Sequence, residues 1–87
     1  MGEKERMDEV KTRLLNCFAI VFPGLSAEEA ARTTQAAYSA WDSVAAITLA
    51  NVIEDEFAIE VDFDALPELD SFNAVAAYVE RRLSAAT

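Results

Sequence analysis

Apolar residues recur at three- and four-residue steps in three stretches of this chain. Met7, Val10, Leu14, Cys17 and Val21 fall on one face of a helix that Pro23-Gly24 brings to an end. A second helix opens at Asp42, whose carboxylate can cap the amides of Val44 or Ala45, and runs to about Phe57. Ser43 then sits in its first turn, and Val44, Ile47, Ala50, Val52, Ile53 and Phe57 form a wide apolar stripe along it. After Asp70 and Ser71, two competing N-caps, Phe72, Val75, Ala76, Val79 and Leu83 define a last amphipathic helix. It closes on Arg81-Arg82, cations placed where the helix dipole favours them.

The segments between these helices read differently. Ser26 and Glu29 have the spacing of a capping box, but Thr33-Thr34-Gln35 carries no apolar period, so a short helical turn inside a long loop is expected. Ala58-Ile59-Glu60-Val61-Asp62 alternates apolar and polar, which predicts an extended connector burying Ile59 and Val61. Asp62 to Leu66 can form a short helix that stops before Pro67. With no internal repeat, no low-complexity tract, two glycines and two prolines, the expectation is an all-α fold. It is a small four-helix bundle of three long helices and one short one, with a long first loop, over residues 1–87 as a single domain.

Composition narrows the chemistry. A chain of 87 residues with 53% hydrophobic content can build a core, but its one cysteine cannot form an internal disulfide and fits a reducing compartment. Cys17 lies on the apolar face of the first helix and reads as a small buried hydrophobe rather than a reactive thiol. No histidine is present, so this chain alone cannot supply serine–histidine or cysteine–histidine catalysis, nor histidine-ligated zinc. A protein without catalytic activity of its own is expected. The net charge of −9 repels phosphate backbones and anionic lipid, which argues against nucleic-acid and membrane partners. No segment is long and apolar enough to span a bilayer, and Met1 to Arg6 has no signal-peptide core, so a cytoplasmic monomer is expected. Arg6 stands where a myristoylation motif wants Ser or Thr.

Charge is unevenly distributed. Nine carboxylates and no Lys or Arg lie between Asp42 and Asp70, a half that should seek a basic partner. Glu54, Asp55 and Glu56 crowd a helix C-terminus and oppose its dipole at about 0.3–1 kcal/mol each. That cost, with no structural gain visible in the sequence, marks them as a candidate interaction surface, although a solvated face is the simpler account. Calcium binding fails, because an EF-hand loop starting at Asp62 would place Pro67 at its sixth position and Asn73 at its twelfth. A glycosidase-like pair fails too, since these acids have no apolar pocket to raise one pKa.

The informative stretch is Trp41-Asp42-Ser43-Val44, followed at fixed distance by Glu54-Asp55-Glu56 and Phe57-Ala58-Ile59-Glu60-Val61. Here the chain resembles the acyl carrier protein family, which carries an Asp-Ser-Leu motif at the start of its second helix, an acidic helix end and a Phe-Gly-Ile-Glu-Ile-like connector. The resemblance runs from about residue 40 to 83, including the helix with Val75 and Tyr78, and covers the first helix only by length and apolar pattern. It departs at Ala40, Val44 and Ala58, where the family has Gly, Leu and Gly.

The resemblance implies that Ser43 receives a 4′-phosphopantetheine arm from coenzyme A and that the arm's thiol carries an acyl or similar group as a thioester. Asp42 would hold the helix start and take part in recognition by a phosphopantetheinyl transferase. Trp41, Val44, Glu54, Asp55, Glu56 and Ile59 would form the partner surface, with Trp41 partly exposed. The implied partners are that transferase, an acyl- or aminoacyl-loading ligase, and a synthase or acyltransferase with basic docking patches. Leu14, Phe18, Ile47, Ile53, Phe57, Ile59, Val75 and Val79 read most simply as core. In carriers of this kind such a core can also part to shelter an acyl chain. Ala45, Thr48 and Asn51 stand where carriers of fatty-acid biosynthesis commonly place acids and a Met. A dedicated carrier in lipid metabolism or a secondary-metabolite pathway therefore fits better. Two alternatives remain: an aminoacyl carrier, for instance of D-alanine, and an unmodified acidic helical interaction module in which Ser43 is silent.

Overall fold

The computed structural model describes residues 2–86, with side chains from Arg6 to Ala85. Three long α-helices dominate: α1 (Gly2–Val21), α3 (Ser43–Phe57) and α4 (Phe72–Ala86). A six-residue α2 (Ala27–Arg32) and a 3-10 helix (Phe63–Glu68) lie in the connections, and the described residues form no strand. The chain is thus an all-α bundle. Helix α1 lies along both α3 and α4, α2 bridges α1 and α4, and the 3-10 helix leans on α3.

Sequence chemistry accounts for the helix ends. The amide of Phe22 still donates to Phe18 O at 2.7 Å, but Pro23 has no N–H to continue the ladder, so α1 stops there. At its start α1 reaches back beyond the apolar period at Met7 to Gly2, and an Arg6–Glu80 ion pair of 3.2 Å ties this polar turn to α4. The capping box on α2 is complete, with Glu29 N–H donating to Ser26 Oγ at 3.2 Å and Ser26 N–H to Glu29 Oε1 at 3.0 Å. The Ser26 amide, followed by the Ser26 hydroxyl, holds the Glu29 carboxyl below the usual glutamate pKa. Ser71, rather than Asp70, caps α4 by accepting the Ala74 amide at 3.0 Å. Two boundaries differ from expectation. Helix α4 does not close on Arg81-Arg82 but continues to Ala86, and both arginines fold over the Tyr78 ring instead of sitting at the helix end. The short helix does not stop before Pro67 but includes it as its next-to-last residue, where the proline forgoes one amide bond and the Leu69 amide still closes the turn on Leu66 O.

One cluster of buried side chains joins the elements. Val10, Leu14, Cys17 and Phe18 come from α1, Leu49, Ala50, Ile53 and Phe57 from α3, and Phe72, Val75, Ala76, Tyr78 and Val79 from α4. Burial pushes the Cys17 thiol up to about 11, with Glu56 adding to the effect. The buried face of α3 is rotated from the one expected: Leu49 is in the core, whereas Ile47 is 42% exposed and Val44 72%. Both are β-branched apolar residues that continue the stripe in sequence while turning to solvent. Val61 is buried as expected, and Ile59 is only half-buried.

The long loop from Thr33 to Asp42 is ordered by backbone pairing. Thr34 and Ser71 form an isolated antiparallel bridge, in which Gln35 N–H donates to Asp70 O at 2.8 Å and Phe72 N–H to Thr33 O at 3.2 Å. From there successive turns, Tyr38 N–H to Thr34 O and Trp41 N–H to Tyr38 O, carry the chain to the start of α3.

Candidate functional site

Trp41, Asp42 and Ser43 divide three tasks among three consecutive residues. Trp41 is 2% exposed, which corrects the expectation of a partly exposed, partner-contacting indole. Its ring stands edge-on to Phe18 at 5.4 Å between centroids and tilted against Phe22 at 5.7 Å. The sequence does hold a signal for this. Trp41 precedes the N-cap, the position from which an apolar side chain packs on the fourth helical residue, and Trp41 and Ala46 do line one crevice together. Asp42 is the N-cap: its extended backbone (φ −94°, ψ −172°) turns Oδ1 onto the Ala45 amide at 2.8 Å, and its carbonyl accepts the first helical bond from Ala46 at 2.9 Å.

Ser43 is therefore the first residue of α3, exposed, with its hydroxyl in no hydrogen bond among the described residues. The amides of Ser43 and Val44 are likewise uncommitted, because the cap uses only those of Ala45 and Ala46. An anion attached at Ser43 Oγ would meet two free N–H donors and the positive end of the helix dipole. An anchored indole behind it and a capped helix start fix the direction in which the hydroxyl faces solvent.

The other end of α3 is a structural junction. The three acids Glu54, Asp55 and Glu56 were expected to gain nothing structurally, and two of them do. Glu54 Oε2 accepts the Val61 amide at 2.8 Å, which holds the connector against the helix end. Glu56 Oε2 takes the Arg13 Nε–H at 2.7 Å, while the same guanidinium donates to the Glu56 carbonyl and lies 4.5 Å above the Phe57 ring. A cation from α1 thus sits on the negative end of α3 and offsets the dipole penalty of the acids. These partners come from Val61 and from the distant Arg13, so helix periodicity could not announce them. Asp55 remains exposed.

Between Phe57 and the connector, Ala58 adopts φ 54°, ψ 45°, the left-handed conformation. Tyr78 Oη then accepts the Asp62 amide at 3.0 Å and an Arg82 Nε–H at 3.1 Å. Ile59 lines a groove of about 410 Å³ with Arg6, Arg13, Phe57 and Leu83, at the far end of α3 from Ser43. The expected site residues thus split into three places: Ser43, Asp42 and Val44 together at the start of α3, Trp41 beneath them in the core, and Glu54, Asp55, Glu56 and Ile59 at its other end. Gln35, Leu66 and Pro67, which the sequence did not single out, join Ser43, Ala46 and Ile47 around a surface groove of about 200 Å³.

Residues 39–79, from the end of the loop through most of α4, match the family model of the phosphopantetheine attachment site. The match, over just under half of the chain, supports a carrier protein of the acyl carrier protein family. Domains of this family carry a covalently attached 4′-phosphopantetheine prosthetic group. No curated protein and no solved structure matched the chain. No helix among the described residues is long and apolar enough to cross a membrane.

Proposed function

We propose that Ser43 carries the phosphopantetheine arm and that the chain, acting as one domain, holds an acyl or similar group on it as a thioester for partner enzymes. The observation that carries this reading is Ser43 itself: an exposed hydroxyl on the first residue of α3, inside the matched segment, with two uncommitted amides beside it. In the loading step Ser43 Oγ forms a bond to the pantetheine-side phosphorus of coenzyme A. The pyrophosphate bond to the nucleotide breaks, and the serine proton leaves to a base of the transferase. Asp42 keeps the helix start formed while this occurs, and the described residues around Ser43 need supply no base. The arm's chemistry is that of a thiol that forms and yields thioesters; what the chain contributes is position.

The partners in this reading are the phosphopantetheinyl transferase, a loading ligase, and a synthase or acyltransferase with basic docking patches. They act on a monomeric carrier without catalytic activity of its own in the cytoplasm, where Cys17 stays reduced. Asp55 and Val44 remain open to them, whereas Trp41 is inside and Glu54 and Glu56 are engaged within the chain. The exposed positions of α3 nearest Ser43 are Val44, Ile47, Thr48 and Asn51, without an acid, which favours a dedicated carrier over one of general fatty-acid synthesis.

Intact-mass spectrometry tests the reading. Incubated with coenzyme A, Mg²⁺ and a broad-specificity phosphopantetheinyl transferase, the protein is expected to gain one phosphopantetheine and Ser43→Ala none. A folded wild-type protein that no transferase modifies would leave the unmodified acidic interaction module as the better account.

A further inference from the structure

We propose that the second half of α4 is a docking site for an acidic peptide segment of a partner protein, with Arg81 and Arg82 as its carboxylate-binding pair and the connector after α3 as its apolar floor. The site lies at the other end of α3 from Ser43, about 20 Å away for a helix of 15 residues, and does not depend on that serine being modified.

With 16 carboxylates to seven cations in the chain, an arginine has every opportunity to find an acidic partner. Arg6 pairs with Glu80 and Arg13 with Glu56. Arg81 and Arg82 are exposed, and neither forms an ion pair among the described residues. Both lie instead on Tyr78, with Cζ 5.9 Å and 5.3 Å from the ring centroid. Two carboxylates that could neutralise them are committed elsewhere, Glu80 to Arg6 and Asp62 to the Asp64 amide at 3.0 Å. Arg82 donates its Nε–H to Tyr78 Oη at 3.1 Å, and the same oxygen takes the Asp62 amide at 3.0 Å. The ring thus restrains two guanidinium groups while their other N–H groups stay unbonded, in the fork geometry that receives a carboxylate. Side chains already restrained lose less freedom on binding.

Grooves run on both sides of the pair. One of about 310 Å³ is bordered by Asp62, Ala65, Tyr78, Arg81, Arg82 and Ala85. Arg82 and Ala85 also border a second, again of about 310 Å³, with Ala58, Ile59 and Glu60. Ala58 and Ile59 continue into the groove of about 410 Å³ beside Arg6 and Leu83, so the three adjoin as one trough across this end of the bundle. Its apolar wall at Ala58, Ile59, Ala65 and Ala85 beside two unpaired cations suits a peptide that carries both carboxylates and apolar side chains. Nucleic acid and anionic lipid are repelled by the net charge of −9, whereas a peptide brings only a few negative charges. Glu60 borders the groove with Ile59 and not the one with both arginines. It therefore steers the occupant's carboxylates to the arginines and leaves Ile59 to its apolar side chains. A partner anchored here leaves Ser43 and Val44 uncovered, so anchoring and presentation take opposite ends of α3.

The test titrates the ¹⁵N-labelled full chain, without any arm, with two unlabelled probes: a capped peptide of Glu, Leu and Ser, and its counterpart with Lys in place of Glu. The acidic probe is expected to shift the Arg82 Nε–H and the Ile59 and Ala85 amides saturably and to leave the Val44 amide unmoved. The lysine probe is expected not to move the Arg82 Nε–H. Binding of the acidic probe should weaken in 1 M NaCl, where the Debye length is about 3 Å. The double variant Arg81→Gln, Arg82→Gln should bind it about five- to tenfold more weakly, the sum of two exposed pairs. Arg32→Gln, at an exposed arginine of α2, should bind it as wild type does. No saturable shift at Arg82 up to millimolar acidic peptide would overturn the inference, as would equal shifts with the lysine probe or a folded double variant that binds unchanged. The probe comparison and the salt dependence use the wild-type protein, so they decide the matter even if the double variant does not fold.

Discussion

Replacing Ala58 by glycine should make this protein more stable, although the same exchange inside a helix does the opposite. Ala58 closes α3 in the left-handed region at φ 54°, ψ 45°. There an L-residue other than glycine carries a strain of about 1–2 kcal/mol. Glycine removes that strain but brings a more flexible unfolded chain, at about 0.5–1 kcal/mol. The Ala58 methyl is exposed, so no buried contact is lost with it. The net expectation for Ala58→Gly is a gain of about 0.5–1 kcal/mol, or roughly 2–8 °C in Tm for a domain of this size. Ala19 supplies the control, since it is exposed in the interior of α1 and Ala19→Gly should cost about 1 kcal/mol. Both exchanges free the unfolded chain to a similar degree. The difference between the variants, about 1.5–2 kcal/mol by these figures, therefore reports the folded backbone alone. Urea and thermal unfolding followed by far-ultraviolet circular dichroism measure all three proteins. An Ala58→Gly variant less stable than wild type would show that the left-handed turn is not strained at Ala58.

Other interactions lead to their own expectations. Arg13→Met keeps the aliphatic stem over Phe57 but deletes the contacts to Glu56. With the ion pair more than a third exposed and discounted accordingly, the loss should be about 1–2 kcal/mol in denaturant titrations, and smaller in 1 M NaCl. A loss unaffected by salt would remove the charge from the account. Glu54→Ala strands the half-buried Val61 amide and should cost about 1–3 kcal/mol, whereas Glu54→Gln retains an acceptor oxygen and should cost less than half as much; equal losses would mean that the bond to Val61 N–H is immaterial. Cys17 should resist iodoacetamide at pH 8 in the folded protein and react promptly in urea, since its thiol titrates near pH 11. Because that pKa is raised, its contribution to stability is whole below the unfolded value of about 9 and is lost as pH climbs through 11.

Helix periods and capping residues made most of this fold readable in the sequence. Asp42 caps α3, the Ser26–Glu29 box caps α2, and Val10, Leu14 and Cys17 line the core, all from patterns local to one turn. Ser43 at the helix start was legible for the same reason. What escaped is non-local or ambiguous in period. Glu56 looks like an unsupported acid until Arg13 of α1 lies over it, and Glu54 until the connector folds back. Val44 and Ile47 extend an apolar stripe that an i, i+3 rule assigns inward, while the true seam runs through Leu49, Ala50, Ile53 and Phe57. Gln35 and Pro67 come to border the same groove as Ser43 through the bridge to α4 and the docking of the 3-10 helix, a placement that no window of sequence contains.

That bridge also orders events in time. Thr33 and Gln35 take their shape from hydrogen bonds with Phe72 and Asp70, residues synthesised only after all of α3 and the connector. A nascent chain that has displayed Ser43 but not yet Asp70 to Phe72 lacks the partners that set the loop leading to Trp41 and the helix start. The loop before Ser43 thus takes its shape only once Asp70 to Phe72 are in place. An enzyme that requires this shape would act only after Asp70 to Phe72 have paired with the loop.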